Sequence, residues 1–136
     1  MAGTGGNGSG RSQPAALDVR LGVFICPCGG NVSDVVDVKR VADEIGGLPG
    51  VVLSTTHMFV CSDPGQALIE QKIKELSLNR VVVAACSPTL HQVTFRRTLT
   101  RAGLNPYLFE HVNVREQVSW VVVDKEKATR KATRLI

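Results

Sequence analysis

The sequence predicts a small doubly wound α/β domain, a four-stranded parallel sheet with helices on both faces. Three observations lead there. Short, near-continuous apolar runs, Val19 to Ile25 and Arg80 to Ala85 above all, alternate with longer stretches of helical spacing. Capping residues and prolines open the helical stretches, and glycines close several of them. All four cysteines stand where an expected strand stops.

Residues 1–17, rich in Gly, Ser and Pro, carry almost no periodicity. Such a composition cannot offset the entropy lost on ordering, so it reads as a disordered tail or an expression remnant, and the folded unit is expected over 18–136. The first strand, about Val19 to Ile25, is apolar almost throughout. The first helix follows with Val38, Val41, Ile45 and Leu48 at helical spacing, Asp37 as its cap, and Gly46-Gly47 with Pro49 as its stop. A second strand is expected over about Val51 to Phe59.

After Cys61, Ser62 or Asp63 can cap a helix with Pro64 at its first position, and Ile69, Ile73 and Leu76 share one face of it. The third strand spans about Arg80 to Ala85. Cys86-Ser87-Pro88 repeats the cap and proline, and the third helix aligns His91, Phe95, Leu99 and Ala102 before Gly103. A fourth strand is expected over about Tyr107 to Glu110. Asn113 then reads as a cap with Glu116 three residues on, opening a continuous fourth helix with Val114, Val118 and Val121 facing inward. That helix reaches Ile136 without a stop signal, as expected of a chain cut from something longer.

Right-handed crossovers in such an order give a Rossmann- or flavodoxin-like sheet of strand order 2-1-3-4, with all strand-to-helix loops along one edge. Strands about 4.8 Å apart would bring the loops bearing Cys26, Cys28, Cys61 and Cys86 within about 10 Å of one another.

The 136 residues, 43% apolar, suffice for one domain with its own core. The net charge of +4 is split between Arg96, Arg97 and Arg101 on the third helix and Lys125, Lys127, Arg130, Lys131 and Arg134 near the C-terminus. Interleaved acids and only 4% aromatics argue against a nucleic-acid surface and for a solvated or docking face. No segment approaches the about 18 apolar residues of a membrane span, and no signal-peptide core is visible, so the expected location is the cytoplasm. Thiols stay reduced there, and four of them point to a metal, a cluster or redox chemistry before structural disulfides.

Four thiols at converging strand ends suit a 4Fe-4S cluster, whose ligands sit in irregular backbone. Gly29 and Gly30 after Cys28 provide that, and the helix starts after Cys61 and Cys86 favour an anionic group. A four-thiolate zinc site, a Cys26–Cys28 dithiol and plain buried thiols are the alternatives; paired C-x2-C knuckles are absent, and the C-x-C spacing is unlike common redox dithiols. His91, one turn into the third helix, is a candidate neighbour of the site. His57 and His111 receive no role. Arg115 and Glu116, at the start of the fourth helix, are candidates for the functional edge but read better as a solvated pair, and Trp120 reads as helix packing. There is no G-x-G-x-x-G, no catalytic triad pattern and no carboxylate pair.

Cys26-Pro27-Cys28-Gly29-Gly30-Asn31 and Met58 to Gln66 resemble the N-terminal domain of the iron–sulfur A subunit of heterodisulfide reductase and its family. The likeness extends through Val82 to Pro88 with His91, Thr94 to Arg97, Ala102 to Leu108, Asn113 to Trp120 and Asp124 to Thr129, covering about 19–136. The resemblance implies an electron-transfer module that is not catalytic alone, within an oxidoreductase complex linking hydrogenase or formate dehydrogenase partners, ferredoxin and a disulfide. It implies one 4Fe-4S cluster here, and FAD only in flavin and ferredoxin-like parts absent from this chain. Pro27 stands where that family typically has His, Val118 where it often has Cys, and Val122 near a family His. A cluster-free docking module for partner subunits, using the basic third and fourth helices, is the second expectation.

Overall fold

In a computed structural model, residues 18–136 are described; the expected tail over 1–17 lies outside them. Four parallel strands, β1 (Leu21–Ile25), β2 (Val51–Thr56), β3 (Arg80–Ala85) and β4 (Phe109–Asn113), form one sheet in the order β2-β1-β3-β4. The doubly wound arrangement is as expected. Helices α1 (Val38–Gly46) and α4 (Lys125–Leu135) pack together on one face, and α2 (Asp63–Leu76) and α3 (Pro88–Arg101) on the other. Register aligns Ile25 with Thr56 and Ala84, and Ala85 with Asn113, so the four strands finish along one edge.

The core follows from the apolar runs. Val23, Phe24, Ile25, Val81 and Val83 are buried from both sides, with Val41, Ile45, Ile69, Ile73, Phe95 and Leu99 supplied by the helices. Caps fall where the sequence puts them: Asp37 accepts from the Arg40 N–H, Ser62 from Gly65, and Ser87 from Thr89. Thr129 Oγ1 accepts the Asp37 N–H at 3.0 Å, tying α4 to the start of α1.

Several boundaries differ from expectation. β1 starts at Leu21, leaving Val19 exposed, and β2 stops at Thr56, so Met58 and Phe59 lie on an exposed turn. Leu48 is exposed beyond the end of α1. Pro64 is the second residue of α2, because Ser62 is the cap and Asp63 the first helical residue. β4 lies further along, over Phe109–Asn113, and Tyr107 is exposed, since the Asn105 side chain binds the Tyr107 N–H and holds that stretch in a turn. The fourth helix is broken: a π-helical turn, Arg115–Ser119, is separated from α4, which has its own cap, Asp124. Val114 and Val118 are buried as expected, but Val121 faces solvent.

His111 on β4 is buried, and neither ring nitrogen has a hydrogen-bond partner. Burial pushes its pKa below 6.5, opposed in part by the nearby Cys86 backbone. Between the unfolded value of about 6.5 and the lower folded value, the unfolded chain binds a proton that the folded chain refuses, so stability is lost as the pH falls. The slope is expected to reach at most about 1.4 kcal/mol per pH unit, and His111→Phe to lessen it. Urea midpoints of both proteins, followed from neutral to mildly acid pH, check this; parallel pH profiles would exclude His111 as the cause.

Candidate metal centre

Each cysteine reaches the functional edge by a different local device. β1 runs directly into Cys26 and Cys28, and the chain then turns through a 3-10 segment, Cys28–Gly30, with Cys28, Gly29 and Gly30 at φ 52°, 61° and 105°. A side chain on Gly29 would meet the Phe59 ring at 2.8 Å, so glycine there lets the β2–α2 turn close over the loop. The buried Pro27 supports the turn with its carbonyl, which accepts from Val32 at 3.0 Å and from Gly30 and Ser33 at 3.3 Å. Cys61 stands before the α2 cap and Cys86 before the α3 cap, facing the positive ends of both helices. Gln66 Nε2 donates to the Cys61 carbonyl at 2.8 Å, while its Oε1 accepts from Thr98 and Arg101, which secures the Cys61 loop to α3.

All four thiols line one cavity of about 140 Å³, several times the roughly 30 Å³ share of a water molecule. His91, Asn31, Phe59, Phe95 and Arg115 complete most of the wall. The expected cysteines and His91 are thus brought together. His57 is not among the lining residues, nor is Val118, which is buried in the core. Arg115 corrects the expectation of a solvated pair: its side chain is 19% exposed, bonded to Glu116 by two nitrogens, and stacked on Trp120. Trp120 does not pack inside a helix; its ring is exposed on its other side.

Cys28 donates its S–H to the Cys26 sulfur at 3.2 Å, and the backbone amides of Val60 and Cys28 also point at that sulfur. These bonds bring Cys26 down to about 6 despite burial. The same S–H bond, and then burial, raise Cys28. Burial raises Cys61 and Cys86 as well, while Arg115 favours the thiolate at Cys28, Cys61 and Cys86. One negative charge is therefore easily held in the cavity and further ones resist forming. Metal cations overcome that resistance by deprotonating their thiol ligands on binding.

The residues fit a thiolate-held metal group. Among the described residues no three His, Cys, Asp or Glu side chains stand close enough to share a single ion. A tetrahedral ion at 2.3 Å from each sulfur would draw thiolates to about 3.8 Å of one another. A multi-iron cluster, whose ligands each take a separate iron, accepts a wider set.

No protein-family model matches the sequence. Among curated proteins, the A subunit of the H(2):CoB-CoM heterodisulfide,ferredoxin reductase of Methanothermobacter thermautotrophicus is 56% identical over 127 residues, 93% of this chain. The iron-sulfur A subunit of the CoB--CoM heterodisulfide reductase of Methanocaldococcus jannaschii is 52% identical over 121 residues, 88% of this chain. The chain is homologous to a segment of the heterodisulfide reductase A subunit. It spans 19% and 18% of the length of those two relatives. A protein of Archaeoglobus profundus, described as like the heterodisulfide reductase A subunit, is 49% identical over 90% of this chain.

Proposed function

We propose that residues 18–136 form an electron-transfer module of a heterodisulfide-reductase-type oxidoreductase, holding one 4Fe-4S cluster through Cys26, Cys28, Cys61 and Cys86. The observation that carries this reading is the convergence of four free thiols, from three strand ends, on one cavity. A cluster bound there would supply one-electron chemistry. The protein's own part is to bring the four sulfurs to one cavity from three strand ends, to favour the thiolate at Cys26 with nearby backbone N–H groups, and to wall the cavity with Phe59 and Phe95. His91 lies beside the ligands in the same wall.

The module would not be catalytic alone. Its flavin and ferredoxin-like neighbours, and its hydrogenase or formate dehydrogenase partners, would lie outside this chain; two of the relatives are named for reactions with H(2) or formate and ferredoxin, and the chain spans under a fifth of their length. Reduced thiols suit the cytoplasm, and no helix among the described residues is long and apolar enough to cross a membrane. The second reading, a docking module, draws on Met58, Phe59, Leu90 and Trp120, large apolar side chains exposed in segments that follow β2, β3 and β4.

Anaerobic reconstitution with iron and sulfide tests both. The native chain is expected to take up about four irons and four sulfides, and Cys61→Ser or Cys86→Ser to lose most of the iron while staying folded. Zinc alone, or no metal in a folded native chain, would discard the cluster and leave the docking reading.

A further inference from the structure

The four strand ends do not contribute alike. β1 leads to Cys26 and Cys28, β2 to Cys61 and β3 to Cys86, while β4 leads to Arg115. We propose that Arg115 is the fixed positive charge of the thiol cavity, stabilising negative charge on the sulfurs and setting how readily the site accepts an electron. The electron part rests on the cluster reading above; the electrostatic part concerns the thiols alone.

Three constraints hold the guanidinium in place. Its Nε and a terminal nitrogen both donate to Glu116 Oε1, at 3.0 and 2.6 Å. Its guanidinium carbon lies over the Trp120 ring, 4.9 Å from the centroid. The π-helical turn keeps that ring there, because the Arg115 carbonyl accepts the Trp120 N–H at 2.9 Å and the Ser119 hydroxyl at 3.2 Å. Glu116 is fixed in turn: its N–H donates to Asn113 Oδ1 at 3.0 Å, at the last residue of β4. An arginine spread over solvent would add little. One that is 19% exposed and fixed at a cavity wall acts through a lower dielectric.

The carboxylate does not cancel this charge at the sulfurs. Arg115 borders the cavity and Glu116 is not among its lining residues. Two N–H groups converging on Glu116 Oε1 and the contact with Trp120 also distinguish arginine from lysine here, which would keep the charge and lose that geometry.

The metal-free full chain gives a direct readout. The same thiolate attacks iodoacetate and iodoacetamide at the CH2–I carbon, displacing iodide, so the ratio of the iodoacetate to the iodoacetamide rate cancels the thiolate fraction and reports the local potential. In Arg115→Gln that ratio at the cavity thiols is expected to fall roughly threefold or more, Arg115→Lys to recover part of it, and Glu116→Gln to raise it. After reconstitution the midpoint potential should move down in Arg115→Gln and up in Glu116→Gln. Should Arg115→Gln fail to fold, Glu116→Gln and the loss of the native ratio with added salt still decide. An unchanged ratio in the folded variants would overturn the proposal whether or not a cluster binds. Failure of the native chain to take up iron would overturn the cluster reading while leaving the ratio informative. A shifted ratio with an unmoved potential would overturn the redox part.

Discussion

Gly65→Ala is expected to destabilise the fold by about 3 kcal/mol and to displace Cys61 from the thiol cavity. Gly65 is buried in the first turn of α2, where an added Cβ would lie 2.5 Å from the Phe59 carbonyl oxygen and closer still to that of Val60. Both obstacles are backbone, so no rotamer change relieves the clash. The helix start must move away from the turn, and that turn carries Cys61. Gly103→Ala is the control, because Gly103, at φ 83°, has nothing within 4 Å of its Cβ position. Its cost should be about 1–2 kcal/mol, from backbone conformation alone. Urea unfolding compares the two, and iron content after reconstitution reads the site; a native midpoint for Gly65→Ala would mean that the turn yields freely.

Phe95→Ala is expected to cost about 4 kcal/mol, a large share of the about 5–15 kcal/mol that holds an ordinary domain together. Phe95 is fully buried, and its ring meets those of His111, Phe109 and His91 at centroid distances of 5.3, 6.0 and 6.5 Å. The hole would open between α3 and β4 on one side and into the thiol cavity on the other, where collapse is hindered by the loops that carry the cysteines. Val93→Ala, two residues earlier and 61% exposed, should change stability by less than about 0.5 kcal/mol. Comparable denaturation midpoints for the two variants would contradict this account of the core.

Much of the sheet was legible because its signals are local. Arg80–Ala85 is an uninterrupted run of strand-forming residues with a cap and proline just after it, and its bounds are those the pattern predicts. The strand order and the meeting of the cysteines follow from alternation and crossover handedness, which need no side-chain detail. β4 was harder to read. Its buried residue His111 and its last residue Asn113 look polar in sequence, while the apolar Tyr107 and Leu108 just before it belong to a turn. The helix break between Ser119 and Lys125 carries no glycine or proline, and the run Val121-Val122-Val123 resembles an interior stretch. Asp124, capping the Lys127 N–H at 2.8 Å, was the available sign of a new helix.

The site was legible as far as its thiols. Their spacing from strand ends is a property of the chain, whereas Arg115 and Gln66 gain their roles through neighbours from other elements. Arg115 next to Glu116 reads in sequence as an ordinary exposed pair. Only the approach of the β4 end to the cysteine loops, with Trp120 folded back beneath the guanidinium, gives it a different setting.

The backbone of Cys28 carries a conformational cost. A non-glycine residue at φ 52° gives up about 1–2 kcal/mol that glycine would not, and here two glycines follow immediately in the same turn. The Cys28 sulfur packs among the core residues and donates to the Cys26 sulfur at 3.2 Å, contacts that offset part of that loss. That conformational cost is concentrated in the loop that carries β1 into the thiol cavity.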